Sequence, residues 1–192
     1  MTTLLKAILT AAAGLVLGLW ATRTMLANGG PFDVARIGAW KLATKAGAID
    51  ADPYTRASLA RSGEIPLAIG EGLQLVARAD DAGRPLDARC VYRVGPHAPA
   101  ARYWTLGVVD ANGYPIENPS GRYVWRSSEI LRREGGDFSI WVSATAHAGN
   151  WLPVGAPGRF ALVLRLYDSP LSATAGGIEQ AAAPAIVREA CA

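Results

Sequence analysis

The sequence is short of the residues from which most active sites are built. It has two histidines, His97 and His147, and two cysteines, Cys90 and Cys191, and it contains no HExxH, GxSxG, P-loop or CxxC pattern. Those patterns carry the chemistry of the large hydrolase, nucleotide-binding and redox classes, so their absence argues against them. The spacing of the two histidines is unlike that of a standard ligand set. We therefore predict no metal and no cofactor.

Charge is scarce as well, since charged residues make up 18% of the chain and the mean hydropathy is +0.16. Lysine occurs only at Lys6, Lys41 and Lys45, and the 19 lysines and arginines are scattered, with no basic run interleaved with aromatic residues. Although the net charge is +3, this distribution argues against a nucleic-acid partner. At 192 residues the chain has room for one domain and a short extra segment.

Much of the apolar excess lies near the N-terminus, in an uncharged run over residues 7–22 between Lys6 and Arg23. Snorkelling of these two cations extends the apolar length toward the ~20 residues that cross a bilayer. We interpret this segment as an uncleaved transmembrane anchor.

A cleaved secretory signal is the first alternative, because Lys6 supplies a positive start and an apolar stretch follows it. Trp20, Arg23 and Met25, however, spoil the small-residue pattern of a cleavage site. A buried helix of a soluble protein is the second alternative. Orientation stays open at this point, since more positive residues follow the segment than precede it, against the positive-inside rule.

A cluster of chain breakers at residues 28–31 separates the anchor from a predicted helix over residues 32–48. Val34, Ile37 and Trp40 recur there at helical spacing.

A second helix is predicted to begin with Asp52 as its cap and Pro53 in its first turn, and to end at residues 62–63. We expect both helices to form a connector over residues 28–69 that packs on the following domain.

From residue 70 onward, alternating and β-branched patterns predict a β-domain over residues 70–192. The runs that read as strands are 73–79, 86–94, 103–109, 122–125, 138–143, 160–167 and 185–190. The first two flank a turn-forming cluster at residues 80–85 and are predicted to form a hairpin. About seven short strands with frequent turns indicate a mainly β fold, an antiparallel sandwich or jelly roll.

The centre of this domain is the stretch 102–125, where an aromatic strand enters a turn at residues 110–113 and a second aromatic run follows. Residues 144–158 are rich in Gly and Pro and are predicted to be a long loop.

The two cysteines are predicted to form a disulfide bond. Alternation places Cys90 on the same inward face as Tyr92 and Val94, while Cys191 follows the last predicted strand. A bridge between them would staple the C-terminal strand to the sheet and would place the domain in an oxidising compartment, outside the cytoplasm. The alternative is a pair of unrelated reduced thiols.

An ordered set of short motifs resembles a bacterial family, the domain of unknown function DUF1214, over residues 63–191. The motifs are YWTL at 103–106, DANG at 110–113, NP at 118–119, RY at 122–123, GNWLP at 149–153 and FALVLRLY at 160–167. The resemblance implies a β-sandwich of jelly-roll type, and the family's name assigns no function. DUF1214 often follows a larger domain, DUF1254, whereas here the apolar segment precedes it.

The loop around His147 is the candidate binding site, with Asn150 as a polar partner and Trp151 as an aromatic platform. The competing interpretation is that Asn150 satisfies loop backbone groups and Trp151 plugs one end of the fold. Arg122 is a further candidate. With Arg102, Arg126 and Arg165 it either converges on an anion or pairs with nearby carboxylates. No residue is assigned a catalytic role.

Three functions are consistent with these features. The first is a single-pass inner-membrane protein whose periplasmic β-domain, without catalysis, binds or scaffolds a protein of the cell envelope. The second is a carbohydrate or small-ligand binding module that uses loop tryptophans. The third is an enzyme, a hydrolase or metal-dependent catalyst, built around His147.

Overall fold

A computed structural model describes residues 2–27, 34–62, 66–67, 70–155, 158–170 and 183–191. Its helices are α1 (Thr2–Ala27) and α2 (Pro53–Ser62). Its strands are β1 (Val34–Ile37), β2 (Trp40–Ala43), β3 (Gly72–Ala77), β4 (Cys90–Gly95), β5 (Tyr103–Val109), β6 (Val124–Arg126), β7 (Ile140–Ser143), β8 (Asn150–Pro153), β9 (Ala161–Tyr167) and β10 (Ala185–Cys191).

The strands form two sheets, which confirms the mainly β fold. A six-stranded sheet has the order β1-β2-β3-β9-β5-β6, and a four-stranded sheet has the order β10-β4-β7-β8. Apolar side chains from both sheets make one buried core, among them Leu75, Leu164, Tyr92 and Ile140. The pairing is antiparallel except between β7 and β8, which run parallel. The prediction of a purely antiparallel fold is therefore wrong at this one pair.

Helix α1 has the length and composition of a single membrane span or a signal sequence. Its most apolar window has a mean hydropathy of 1.9 and no buried residue, so its side chains are exposed along that window. Ala21, Thr24 and Leu26 near its C-terminal end are half-buried, and α1 contacts α2. The predicted breaker cluster at residues 28–31 lies outside the described residues.

The helix predicted over residues 32–48 is wrong. Strands β1 and β2 pair there as an antiparallel hairpin in which Ile37 is the register partner of Trp40. Gly38 opens the two-residue turn with φ +57°, a conformation that suits the primed turns of tight hairpins. Strand β2 also pairs with β3, so the six-stranded sheet includes residues ahead of the predicted start at residue 70.

The second predicted helix is confirmed as α2. Asp52 caps it, since its Oδ1 accepts hydrogen bonds from the backbone N–H groups of Tyr54 (2.9 Å) and Thr55 (3.1 Å). The Thr55 hydroxyl donates to the other carboxylate oxygen and is the main cause that lowers the pKa of Asp52. Pro53 occupies the first helical position, where no backbone donor is needed.

The hairpin predicted for residues 73–94 is wrong, although its turn is correctly placed. Asp80 N–H donates to Arg84 O (2.9 Å), and Ala79 bridges Pro85, so the chain does reverse here. The two strands then diverge, because β3 pairs with β2 and β9 while β4 pairs with β10 and β7. This segment therefore carries the chain from one sheet to the other.

The predicted strands over residues 103–109 and 160–167 are confirmed as β5 and β9, which pair along their whole length. The turn at residues 110–113 is confirmed too, with Gly113 at φ +91°. The loop predicted over residues 144–158 is wrong in part, because it contains β8. There Asn150 to Pro153 return alongside β7 in parallel register.

The disulfide bond between Cys90 and Cys191 is confirmed. The two residues are register partners on β4 and β10, and Cys90 is 5% exposed, on the inward face together with Tyr92 and Val94. The bridge joins residues 101 positions apart and fixes the last strand to the sheet.

Candidate functional site

The outer face of the four-stranded sheet carries a row of side chains that we call the tryptophan row. It consists of Val187, Arg93, Trp141 and Trp151, which are register partners across β10, β4, β7 and β8 in turn. Their neighbours along each strand, such as Tyr92, Ile140 and Leu152, are fully buried, so the row must face outward. Trp141 and Trp151 are half-buried and present ring surface to solvent.

His147 extends the row from the link between β7 and β8. Its ring stacks on Trp141, with centroids 5.0 Å apart and planes 11° from parallel. In the described part of the chain no hydrogen bond joins His147 to a carboxylate, so the triad-like arrangement that activates a catalytic histidine is not seen there. The stack places the His147 ring over Trp141, so that a third aromatic ring joins the two tryptophans.

Trp151 is held by its polar atoms. Its indole N–H donates to the backbone oxygen of Ser143 and to the Ser143 hydroxyl, each at 3.1 Å. Its backbone oxygen accepts a 3.0 Å hydrogen bond from the indole N–H of Trp125. Because β6 and β8 are edge strands, this second bond ties the edge of one sheet to the edge of the other.

Arg122 lies over the ring of Trp125, with its guanidinium carbon 4.0 Å from the ring centroid. Glu129 balances the charge, since it faces Arg122 at 3.7 Å and Arg126 at 2.9 Å. All three charged side chains are partly exposed, so these pairs orient the groups and add little stability. Arg122 therefore stands beside the aromatic surface as an oriented cation.

Asn150 lies behind the surface, with 3% of the residue exposed. Its Oδ1 accepts from Leu131 N–H at 2.8 Å, and its Nδ2 donates to Leu131 O (2.8 Å) and Ser139 O (3.1 Å). Both amide hydrogens are thus committed to backbone oxygens. Asn150 fixes the start of β8 and thereby positions Trp151.

Of the predicted site residues, the structure brings Trp151 next to His147 through Trp141, and next to Arg122 through Trp125. Asn150 belongs to the same strand but faces the interior. Sequence reasoning did not join Arg93 to the site. Its alternation with Tyr92 and Val94 predicts the face on which it lies, but only the register between β4 and β7 shows that it borders Trp141. Arg93 is paired with Glu189 at 2.7 Å.

Of the other arginines considered as an anion site, Arg126 meets Arg122 at Glu129, whereas Arg102 and Arg165 have partners elsewhere. Arg102 faces Asp168 at 3.6 Å, and Arg165 donates to Gln74 at 2.8 Å. His97 faces Asp137 at 3.3 Å on the exposed surface. Throughout the part of the chain that the structure describes, no three His, Cys, Asp or Glu side chains are grouped so as to hold a metal ion.

The fold has a counterpart among solved structures. The protein VPA0106 of Vibrio parahaemolyticus is 21% identical with a TM-score of 0.57, and the match covers 73% of this chain but 36% of that one. An uncharacterised protein of Burkholderia cenocepacia is 20% identical with a TM-score of 0.39, over 74% of this chain and 45% of that one. The chain thus spans less than half the length of either protein. No curated protein matches it.

The family resemblance is confirmed by direct comparison. The sequence profile of the family described as "Protein of unknown function (DUF1214)" matches residues 71–171. The matched stretch includes the crossover between the sheets, the paired strands β5 and β9, and the two central members of the tryptophan row. It covers more than half of the sequence, and the chain belongs to the DUF1214 family.

Proposed function

We propose that this protein is a single-pass inner-membrane protein whose β-domain lies in the periplasm and binds or scaffolds a component of the cell envelope. The observation that carries the proposal is the Cys90–Cys191 disulfide bond, because such bonds persist in oxidising compartments. Helix α1 supports it, since the helix is long and apolar enough to span a bilayer and exposes its apolar side chains. With the domain outside, the N-terminus is cytoplasmic.

We also propose that the two sheets form a sandwich of jelly-roll type. The shared core of the two sheets and the crossover at residues 78–86 support this arrangement. An experimental structure of the domain tests it, and a strand order or sheet packing unlike a jelly roll contradicts it.

The intact mass of the full-length protein tests the location. The chain is extracted from membranes without reductant while free thiols are alkylated. We expect an uncleaved chain that lacks two hydrogens and carries no alkyl group. A chain alkylated on both cysteines contradicts the periplasmic location, and a chain shortened near residue 28 contradicts the anchor.

A second candidate function is the binding of a carbohydrate or small aromatic ligand on the tryptophan row. The specific observation is the cluster of three aromatic side chains, in which His147 stacks on Trp141 and Trp151 is the register partner of Trp141, because aromatic faces stack on sugar and ring ligands. Oriented charges flank it at Arg93 and Arg122, where they can donate hydrogen bonds to ligand oxygens.

Tryptophan fluorescence titration with a panel of mono- and oligosaccharides and aromatic acids tests this candidate. We expect Trp141→Ala to weaken binding about tenfold, as loss of one stacking contact does. His147→Ala should weaken binding too, whereas the matched control His97→Ala, which changes an exposed histidine away from the row, should not. A panel that leaves the fluorescence unchanged, or equal effects of the two histidine variants, argues against it.

A further inference from the structure

A cleft of about 190 Å³ lies between α2 and the outer face of β2 and β3, and we call it the α2 cleft. Apolar side chains line most of it: Val34, Ala43, Leu59, Leu67 and Val76. The sheet supplies its floor, because Ala43 and Val76 alternate with the buried Leu42 and Leu75 and so face away from the core. The cleft is thus separate from the tryptophan row.

Two cations stand at the α2 cleft, Lys41 and Arg78, and both are exposed. Within the described ranges neither side chain makes an ion pair or hydrogen bond. No Asp or Glu is among the described residues that line the cleft. The charge of Lys41 and Arg78 is therefore not balanced by the lining itself.

A third cation, Arg36, increases the imbalance. Arg36 and Lys41 are direct register partners on β1 and β2, so two like charges face each other across the hairpin. Such a pair is destabilising in a sheet, and an anion between the charges would relieve the repulsion. Arg36 also lacks an ion pair within the described part of the chain.

We propose that the α2 cleft binds a single-chain amphiphile with an anionic headgroup, placing the acyl chain between α2 and the sheet and the headgroup at Lys41 and Arg78. The apolar lining suits the acyl chain of the ligand, and the two unbalanced cations suit a carboxylate or phosphate headgroup. The volume of about 190 Å³ is smaller than the ~300–1,000 Å³ of sites for drug-sized ligands, which favours one chain over two.

The position of the cleft suits a ligand taken from a bilayer, a point that rests on the proposed membrane anchor. Helix α1 contacts α2, the helix that roofs the cleft. The chain between Ala27 and Val34 has a contour length of at most about 25 Å, so β1 must begin close to the end of α1.

The test uses the full-length protein in phosphatidylcholine nanodiscs and dodecanoate labelled with ¹³C at the carboxyl carbon. We expect a second carboxyl resonance, from bound dodecanoate, that nanodiscs without the protein do not give. Dodecan-1-ol, which lacks the anionic headgroup, should not displace the bound dodecanoate. Lys41→Gln with Arg78→Gln should weaken binding about tenfold, since both headgroup contacts are lost. The matched control is Arg56→Gln with Arg61→Gln, which removes the same charge from α2 outside the cleft lining and should leave binding unchanged.

A steric variant provides an independent readout. Ala43→Phe fills the cleft without changing its charge and should abolish the second resonance, while circular dichroism checks that the fold is kept. The absence of that resonance in the wild type overturns the proposal, and so do equal losses in the two double variants, which would indicate non-specific charge attraction.

Further experiments identify the source of the ligand and distinguish failure of the cleft proposal from failure of the anchor proposal. Displacement of dodecanoate by lysophosphatidylglycerol supplied in the bilayer assigns a lipid ligand, and resistance to it assigns a free fatty acid. If the chain does not enter nanodiscs but binds dodecanoate in buffer, the cleft proposal stands and the anchor is overturned. If it enters nanodiscs but gives no bound resonance, the anchor stands and the cleft proposal is overturned.

Discussion

The side chain of Asn150 pairs with the backbone of Leu131 in both directions, accepting its N–H and donating to its oxygen, each at 2.8 Å. The amide thereby imitates a peptide group and extends the pairing of β8 to a segment that is not a strand. The Asn150 side is buried, with 3% of the residue exposed, whereas Leu131 is 66% exposed, so the two bonds tie a surface segment to the interior. The two hydrogen bonds hold the start of β8 in place and with it the backbone of Trp151.

We predict that Asn150→Ala lowers the free energy of unfolding by about 1–3 kcal/mol, because the buried amide loses its three hydrogen bonds to the backbone of Leu131 and Ser139. Denaturant unfolding of the full chain measures the change. The matched control is Asn112→Ala at an exposed turn, where the side chain makes one long contact of 3.5 Å and the loss should stay within about 0.5 kcal/mol. Similar losses of stability at both positions would contradict the structural role of the Asn150 side chain.

Strand patterns were predictable where one face of a strand is buried and the other is not. The alternation in residues 103–109 gave the bounds of β5, and the same alternation placed Cys90 inward. These features depend on residues near in sequence. The alternation of buried and exposed residues along a strand is visible in the sequence whichever strands become neighbours.

The hairpin of β1 and β2 was missed because its spacing imitates a helix. Ile37 and Trp40 are three residues apart, as on one helical face, but they meet as partners across a two-residue turn. The signal available in the sequence was the glycine at position 38, because glycine readily adopts the positive φ of the first position of such a turn.

The crossover at residues 78–86 and the parallel strand β8 were missed for another reason. Turn residues specify a local reversal, while the sheet that each strand joins depends on partners far along the chain. The tryptophan row depends on the same information. Trp141 and Trp151 become neighbours only because β8 runs parallel to β7.

Reduction of the disulfide bond should destabilise the protein by about 4–5 kcal/mol, because the bridge closes a loop of 101 positions in the unfolded chain. Denaturant unfolding with and without tris(carboxyethyl)phosphine measures this. The control is Cys90→Ala with Cys191→Ala, whose stability should not respond to the reductant. A response in the control, or none in the wild type, would contradict the structural role of the bridge.

Arg188 and Arg84 both face the buried carboxylate of Asp80 but should differ in importance. Arg188 Nε lies 3.2 Å from Asp80 with 17% of its side chain exposed, whereas the Arg84 side chain is 52% exposed at 2.9 Å. Solvent screens the second pair, so we predict a loss of about 2–3 kcal/mol for Arg188→Gln and less than about 1 kcal/mol for Arg84→Gln. Denaturant midpoints of the two variants, compared when the unfolding free energy has the same dependence on denaturant concentration, show which loss is larger. A larger loss for Arg84→Gln would contradict the prediction.

Acid should weaken the contact between Asp87 and Arg89 in a defined pH window. The Arg89 guanidinium, hydrogen-bonded to Asp87 at 3.0 and 2.9 Å, lowers the pKa of that carboxyl from 3.8 to about 2. A lowered pKa in the folded state means that the contact stabilises the protein fully above the unfolded value and ceases to do so as the pH falls from about 5 toward 2.

The side-chain carboxyl resonance of Asp87, followed by NMR from pH 6 to pH 1.5, measures this pKa directly. We expect a midpoint near 2 in the wild type and a shift toward 3.8 in Arg89→Gln, because that variant removes the largest cause of the lowered pKa. The stability difference between the wild type and Asp87→Asn should shrink over the same window. A midpoint that does not move in Arg89→Gln would show that the backbone N–H of Arg89, which also donates to Asp87 at 3.0 Å, dominates instead.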